Sequence, residues 1–379
     1  MPADTLPEPD AAACAAGGAL RSLIEQTLRG EGNWMSFARY MALALHAPGL
    51  GYYAGGTAKF GAAGDFVTAP ELGTLFARTL ARQVADLLRP GDAVLEFGAG
   101  SGALADALTE ALAACGAQPE YLILETSAAL AERQRARLRA PVTWLDRLPQ
   151  RFSGVMIANE VLDAMPAHAL AWTAQGVFER GVCIDDGRLA WADRPATGEV
   201  LAAAQALPVV ADARYESELN LAARAWVRTL AGRLARGAIL VIDYGFPARE
   251  YYHPQRSGGT LMCHYRHRAH GDPFYRPGLQ DITTHVDFSA LAQAAADTGL
   301  DVLGYTNQAQ FLINCGITDL LSEVDATDVR RYAPLAAQAQ MLLSPVEMGE
   351  LFKVLALGRG IDAPLRGFTA GNRAHTLAA

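Results

Sequence analysis

Lysine is nearly missing from this chain. Lys59 and Lys353 are the only two, so arginine supplies almost all of the 32 basic residues, set against 40 acidic ones for a formal charge of -8. That balance lacks the electrostatic footprint of a phosphate-binding surface and argues against nucleic acid as a partner. Cysteine is sparse too: Cys14, Cys115, Cys183, Cys263 and Cys315 are odd in number, scattered and without a C-x-x-C pair. The pattern disfavours a disulfide framework and a structural zinc site, and it fits a reducing compartment. No apolar run approaches the length of a membrane span. Residues 1–18, rich in Ala, Pro and acids, lack a basic segment leading into an apolar core and do not read as a signal peptide. The expectation is a soluble, cytoplasmic protein with no membrane insertion.

What the chain does have is apolar mass and glycine. Its 379 residues, 51% hydrophobic and including 36 Gly, allow one large domain with insertions or two ordinary ones. The organising stretch is AVLEFGAGSGAL, residues 93–104. Val94, Leu95 and Phe97 form a short apolar run, Gly98, Gly100 and Gly102 break it, and Ala103, Leu104, Ala105 and Leu108 resume at helical spacing. The reading is strand, glycine turn, helix, a place where a ligand can approach backbone that a Cβ would otherwise shield. Gly98, Gly100 and Ala103 also satisfy the dinucleotide pattern G-x-G-x-x-G/A, so a nicotinamide cofactor stays open. Two features favour S-adenosylmethionine (SAM). Gly102 falls one residue early for the dinucleotide pattern, and Glu96 sets an acid in the strand. Such an acid is costly to bury without a cationic or hydrogen-bonding partner, which the methionine ammonium of SAM would supply.

Upstream, residues 20–28 and 35–45 read as short helices after a disordered tail. Residues 48–69 form a glycine-dense loop, and Leu72, Leu75, Phe76, Leu80, Val84 and Leu87 mark one face of a helix. Downstream, a second strand at 121–124 ends in Glu125, where an acid in a doubly wound sheet accepts from both ribose hydroxyls. Capping the next helix, 128–138, is the alternative role. Asp146 follows a third strand, 142–145, within reach of an adenine edge. A fourth strand, 154–160, puts Asn159 and Glu160 at its carboxyl end, in the crevice of the glycine turn. If the chain turns helical there, Glu160 and Asp163 share a face, although acids also suit a helix N-terminus for dipole reasons alone.

A hairpin is expected around Asp185, Asp186 and Gly187, then a helix at 219–234 and a fifth strand at 238–242 that ends on Asp243 and Tyr244. Residues 246–285 read as a lid-like insertion holding five of the eight histidines. The spacing of His264, His267 and His270, beside the lone Cys263, argues against a metal site. A helix at 287–298, a sixth strand at 301–305, a helix at 334–343 and a last strand at 352–357 follow. Alternation of strands and helices predicts an α/β fold on a mostly parallel sheet.

Several stretches together resemble one family, the MidA-like SAM-dependent methyltransferases, which include mitochondrial assembly factors for respiratory complex I. They are FGAAGDFVTAPELGTLF (60–76), LEFGAGSG (95–102), ANEVLDAMP (158–166), IDYGF (242–246), GLQDITTHVDF (278–288) and MGELFKVLALGRG (348–360). LEFGAGSG is common to many methyltransferases, whereas GDFVTAPE and NEVLDAMP in company are more specific. The resemblance implies a class I (Rossmann-like) methyltransferase fold, a seven-stranded sheet with the last strand antiparallel, a helical N-terminal segment and insertions. It implies SAM as cofactor and methylation of an arginine on a protein partner, a respiratory-complex subunit among the candidates. By position, Gly98, Gly100 and Gly102 would line SAM, Glu125 would take the ribose, and Gly64, Asp65 and Thr68 would close over cofactor or acceptor. The histidine-rich run at 262–274 is richer in His than the family pattern, which bears on the acceptor. The expected organisation is an N-terminal part, 1–89, and a core, 90–379, with insertions at about 167–235 and 246–285, a division in the spirit of domain-length priors.

A guanidinium acceptor arrives charged, and a carboxylate pair can hold it bidentately. Glu160 with Asp163 is the expected pair, Asn159 beside them. A methyltransferase acting on a small molecule or another side chain, and a SAM-binding assembly factor with little catalysis, are the alternatives.

Overall fold

The computed structural model describes residues 7–55, 68–209 and 213–378. The chain forms two compact units, each assembled from separated segments. One comprises Val67–Val161, Ala225–Gly245 and Phe288–Ala379; the other comprises Met1–Phe66, Leu162–Arg224 and Phe246–Asp287.

The first of these carries the strand and helix alternation. Its strands are β1 (Ala93–Phe97), β2 (Glu120–Leu124), β3 (Thr143–Leu145), β4 (Phe152–Asn159), β5 (Leu234–Phe246), β6 (Asp301–Asn307) and β7 (Phe352–Arg359). They lie in the order β3-β2-β1-β4-β5-β7-β6. Strands β1 to β5 pair in parallel, and β7 runs antiparallel to both β5 and β6. Residues Val155 to Ala158 of β4 and Ala238 to Ile242 of β5 are all buried, which is why these strands read as unbroken apolar runs rather than as alternation. Three helices, α1 (Thr74–Leu87), α2 (Ala103–Ala114) and α3 (Ala128–Arg137), follow the expected positions. Leu75, Phe76, Leu80 and Val84 of α1 and Leu104, Leu108 and Leu112 of α2 share one core with Val94, Ile123, Val155, Ile157 and Leu240 of the sheet.

Glycine is needed for the strands to close up. Gly154 sits at φ 128 opposite Ala93, and a Cβ there would stand 2.0 Å from the Ala93 carbonyl oxygen.

The other unit is mainly antiparallel. The strand Gly176–Asp185 pairs with Met35–Ser36, His168–Thr173 and Arg188–Pro195, and His168–Thr173 pairs in turn with Tyr215–Leu219. The hairpin expected at 185–187 is present: Asp185 pairs with Arg188, and Asp186 and Gly187 between them have φ 43 and 72, the signature of a two-residue turn. The N-terminal segment departs from expectation. Its first helix, Ala11–Gly30, begins inside the stretch read as a disordered tail, because Asp10 caps it by accepting from the Ala13 amide at 2.8 Å. Leu20, Ile24 and Leu28 bury one face of that helix. The second helix is Phe37–His46, capped by Ser36.

The insertion at 246–285 is also more ordered than a loop. Met262–Tyr265 pairs with Arg268–His270 and with Asp281–Thr283 in a small antiparallel sheet. His264 and His270 lie on strands, while His267 occupies the turn at φ 61 and is exposed. No helix among the described residues is long and apolar enough to cross a membrane.

Candidate functional site

The carboxyl ends of β1 and β4 lie side by side where the strand order reverses, the place in an open α/β sheet where ligands bind. Past Phe97 the chain takes the glycine turn. Gly98, Gly100 and Gly102 have φ 57, 55 and 83, conformations that side-chain-bearing residues adopt only with strain. The Gly98 amide donates to the Leu124 carbonyl at 3.1 Å, which ties the turn to the end of β2, and Gly102 donates to Ala99 at 2.7 Å before starting α2. Among the described residues a Cβ on Gly98 would meet a methyl of Val161 at 3.5 Å, so the backbone is open there, whereas at Gly102 a Cβ would crowd the Leu138 side chain at 3.1 Å.

Glu96 is buried beneath that turn, and its Oε2 accepts from the Tyr121 hydroxyl at 2.7 Å. A cationic or hydrogen-bonding partner is expected for this acid, and within the protein the neighbouring strand supplies a hydrogen-bonding one, the phenol of Tyr121. Burial pushes the carboxyl up from 4.5 to about 7; the Tyr121 bond pulls down, and the charge of Glu125 pushes further up. The native state therefore holds a proton that the unfolded chain releases, and the associated stability is full below pH 4.5 and lost as pH rises through 7. At pH 8 the charged form costs about 3 kcal/mol. Glu96→Gln keeps an oxygen for Tyr121 and carries no charge. Ligand-free E96Q should melt higher than the parent at pH 8, and the gap should close toward pH 5; parallel melting curves across that range would rule out a buried proton on Glu96.

Glu125 follows β2 and is largely buried. Its Oε1 accepts from the Ser127 amide at 2.9 Å and its Oε2 from Gln134 Nε2 at 3.0 Å. Burial raises its pKa, opposed by the Ser127, Gln134 and Thr126 donors. It is not the cap of α3, since Ser127 fills that position by accepting from the Leu130 amide. Thr68 precedes the short 3-10 turn Ala69–Leu72, and its carbonyl accepts from the Glu71 amide at 3.0 Å. The Glu71 carboxylate in turn accepts from the Ser101 hydroxyl inside the glycine turn. Glu71 lies in the TAPE stretch, where no local sequence signal marks it out as a partner of the glycine turn. Gly64 and Asp65 lie outside the described residues. Asp146 is exposed one residue beyond β3.

At the end of β4, Asn159 Nδ2 donates to Glu160 Oε1 at 3.2 Å, and Asn159 Oδ1 is buried with no hydrogen-bond partner among the described residues. Glu160 extends the ladder by donating its amide to Ile242 at 2.9 Å, yet its φ is 54. A non-glycine residue held in that region at a strand end is strain of the kind that clusters at functional sites. The chain does not turn helical afterwards, so the shared helical face proposed for Glu160 and Asp163 does not exist. The left-handed residue breaks the run. Asp163 is buried in the other unit, where its carbonyl accepts from the Thr284 amide at 3.0 Å. Two further residues lie near these strands, one on the helix Leu221–Ala231 and one on β5. Trp226 packs edge-on against Phe97 with ring centroids 5.1 Å apart, and Asp243 lies three residues before the end of β5, its Oδ1 accepting from the Tyr244 amide.

An open backbone turn, the carboxylate of Glu125 and the unpartnered oxygen of Asn159 suit a ligand that brings hydroxyl and ammonium donors, as SAM does. The start of α2 offers backbone amides to a carboxylate. With the strand order β3-β2-β1-β4-β5-β7-β6 and an antiparallel β7, these features define a class I SAM-dependent methyltransferase.

Comparison with known proteins agrees. The model of a SAM-dependent methyltransferase family matches residues 75–306. A crystal structure from Burkholderia thailandensis, bound to S-adenosyl-homocysteine, superposes with a TM-score of 0.94 at 52% identity, covering 98% of this chain and 100% of that one. The zebrafish Danio rerio protein arginine methyltransferase NDUFAF7, mitochondrial, is 29% identical over 85% of this chain and 83% of its own length. The Homo sapiens protein of the same name is 27% identical over 85% and 80%. This chain belongs to the MidA-like SAM-dependent methyltransferase family, and SAM is its cofactor.

Proposed function

We propose that the chain transfers a methyl group from SAM to an arginine side chain of a protein partner. The observation that carries this reading is the alignment, along 85% of the chain, with relatives that are named protein arginine methyltransferases. SAM supplies an electrophilic methyl on sulfonium, so the protein's part is orientation and desolvation. In this reading Glu160 accepts from the acceptor guanidinium, and Asn159, which already donates to Glu160 Oε1, holds that carboxylate in place. A respiratory-complex subunit is the narrower partner that the family resemblance suggests. A reducing compartment, the cytoplasm in our reading, accords with five free cysteines.

The test is incubation of the purified protein with methyl-labelled SAM and lysate of the source cell. A labelled protein that yields methylarginine on hydrolysis is expected. Label confined to small molecules, or to another amino acid, would overturn the assignment.

A further inference from the structure

We propose that Gln134 is a positioning residue for the cofactor, holding the glycine turn and the Glu125 carboxylate at a set separation. The inference rests on reading Glu125 as the acid that takes the ribose. Gln134 lies on α3 with its side chain fully buried, a costly place for an amide unless its hydrogen-bonding groups are used. They are. Nε2 donates to the Gly100 carbonyl at 3.0 Å and to Glu125 Oε2 at 3.0 Å, while Oε1 accepts from the Trp144 indole at 2.9 Å. The amide can face only one way, because the indole is a pure donor and the Gly100 carbonyl a pure acceptor. One side chain thus joins the turn after β1, the carboxylate after β2 and strand β3.

Neither leucine nor glutamate meets all three demands. Leucine offers no polar atom, and glutamate would bring acceptors where the turn and Glu125 need donors. With Gln134 and Ser127 each occupying one lone pair of Glu125, the carboxylate's remaining acceptor directions are fixed before any ligand arrives. Pre-set geometry of this kind contributes to affinity by lowering the ordering cost of binding.

The experiment is calorimetric titration of S-adenosyl-homocysteine into the wild type, Gln134→Leu, Glu125→Gln and the double variant. Q134L should weaken binding about tenfold, the scale of one or two hydrogen bonds. The loss should appear in KM for SAM rather than in kcat. In the E125Q background the same substitution should cost less than about threefold, since the two side chains act as a unit. Wild-type affinity in Q134L with weakened E125Q would overturn the positioning role alone. Full additivity of the two losses would overturn it as well. Wild-type affinity in E125Q would instead overturn the ribose reading on which the proposal stands. Should Q134L fail to fold, Gln134→Glu keeps the volume and the acceptor for Trp144. Its affinity should fall relative to wild type as pH rises from about 5 to 8 and the two carboxylates ionise side by side. A profile parallel to wild type would overturn the proposal.

Discussion

Glu160→Gln is expected to cut methyl transfer about a hundredfold or more, the scale of losing one well-placed charged group in a transition state, while SAM affinity stays within about threefold. The substitution is conservative where it needs to be. Glutamine retains an oxygen for the Asn159 amide, keeps the backbone amide that donates to Ile242, and occupies the same left-handed position at φ 54. What it loses is negative charge. A guanidinium gripped by a carboxylate is oriented as well as attracted, so the defect should fall on turnover and on acceptor KM. Steady-state kinetics beside calorimetry separates the outcomes. Collapse of SAM binding in E160Q would make Glu160 a cofactor ligand and return the acceptor site to other residues.

For Glu125→Gln the expected defect is the reverse: S-adenosyl-homocysteine should bind about thirtyfold more weakly or worse, the worth of a charge-assisted hydrogen bond. The remaining amide oxygen can still accept from Ser127, so the start of α3 is preserved. The new NH2 faces Gln134 Nε2 and offers no acceptor to a ribose hydroxyl. Melting of the ligand-free variant should fall modestly, because two buried amide donors then face each other, partly offset by removal of a carboxylate that burial already disfavours. The decisive measurement is the shift in melting temperature with added ligand, which tracks affinity by mass action. An equal ligand-induced shift in variant and wild type would remove Glu125 from the cofactor site.

The organising turn was legible because its signals are local. An apolar run, three glycines and a resumption of helical spacing sit within twelve consecutive residues, and all three glycines indeed adopt positive φ. Strands β1, β2 and β4 were likewise visible as short continuous apolar runs. The strands His168–Thr173 and Tyr215–Leu219 were not, since their residues, HALAWT and YESEL, carry no clean strand pattern. Buried Glu218 in the second of them is tolerated because Thr260 and Leu261 amides and the Thr260 hydroxyl donate to its carboxylate. No window of sequence around residue 218 announces donors some forty positions away. The condition under which Glu160 and Asp163 would share a helical face is not met for a related reason: helical spacing of acids says nothing about a single residue held at positive φ.

By itself the sequence determined the fold class, the place of the glycine turn and the acids at or near the strand ends, because period, glycine placement and residue type are properties of neighbours along the chain. Only the tertiary structure decided which polar groups meet. Gln134 reaches Gly100 across 34 positions, Ser101 reaches Glu71 across 30, and Tyr121 reaches Glu96 across 25. Those partnerships arise when strands and helices pack, and packing brings together residues whose separation in the chain carries no signal of their contact.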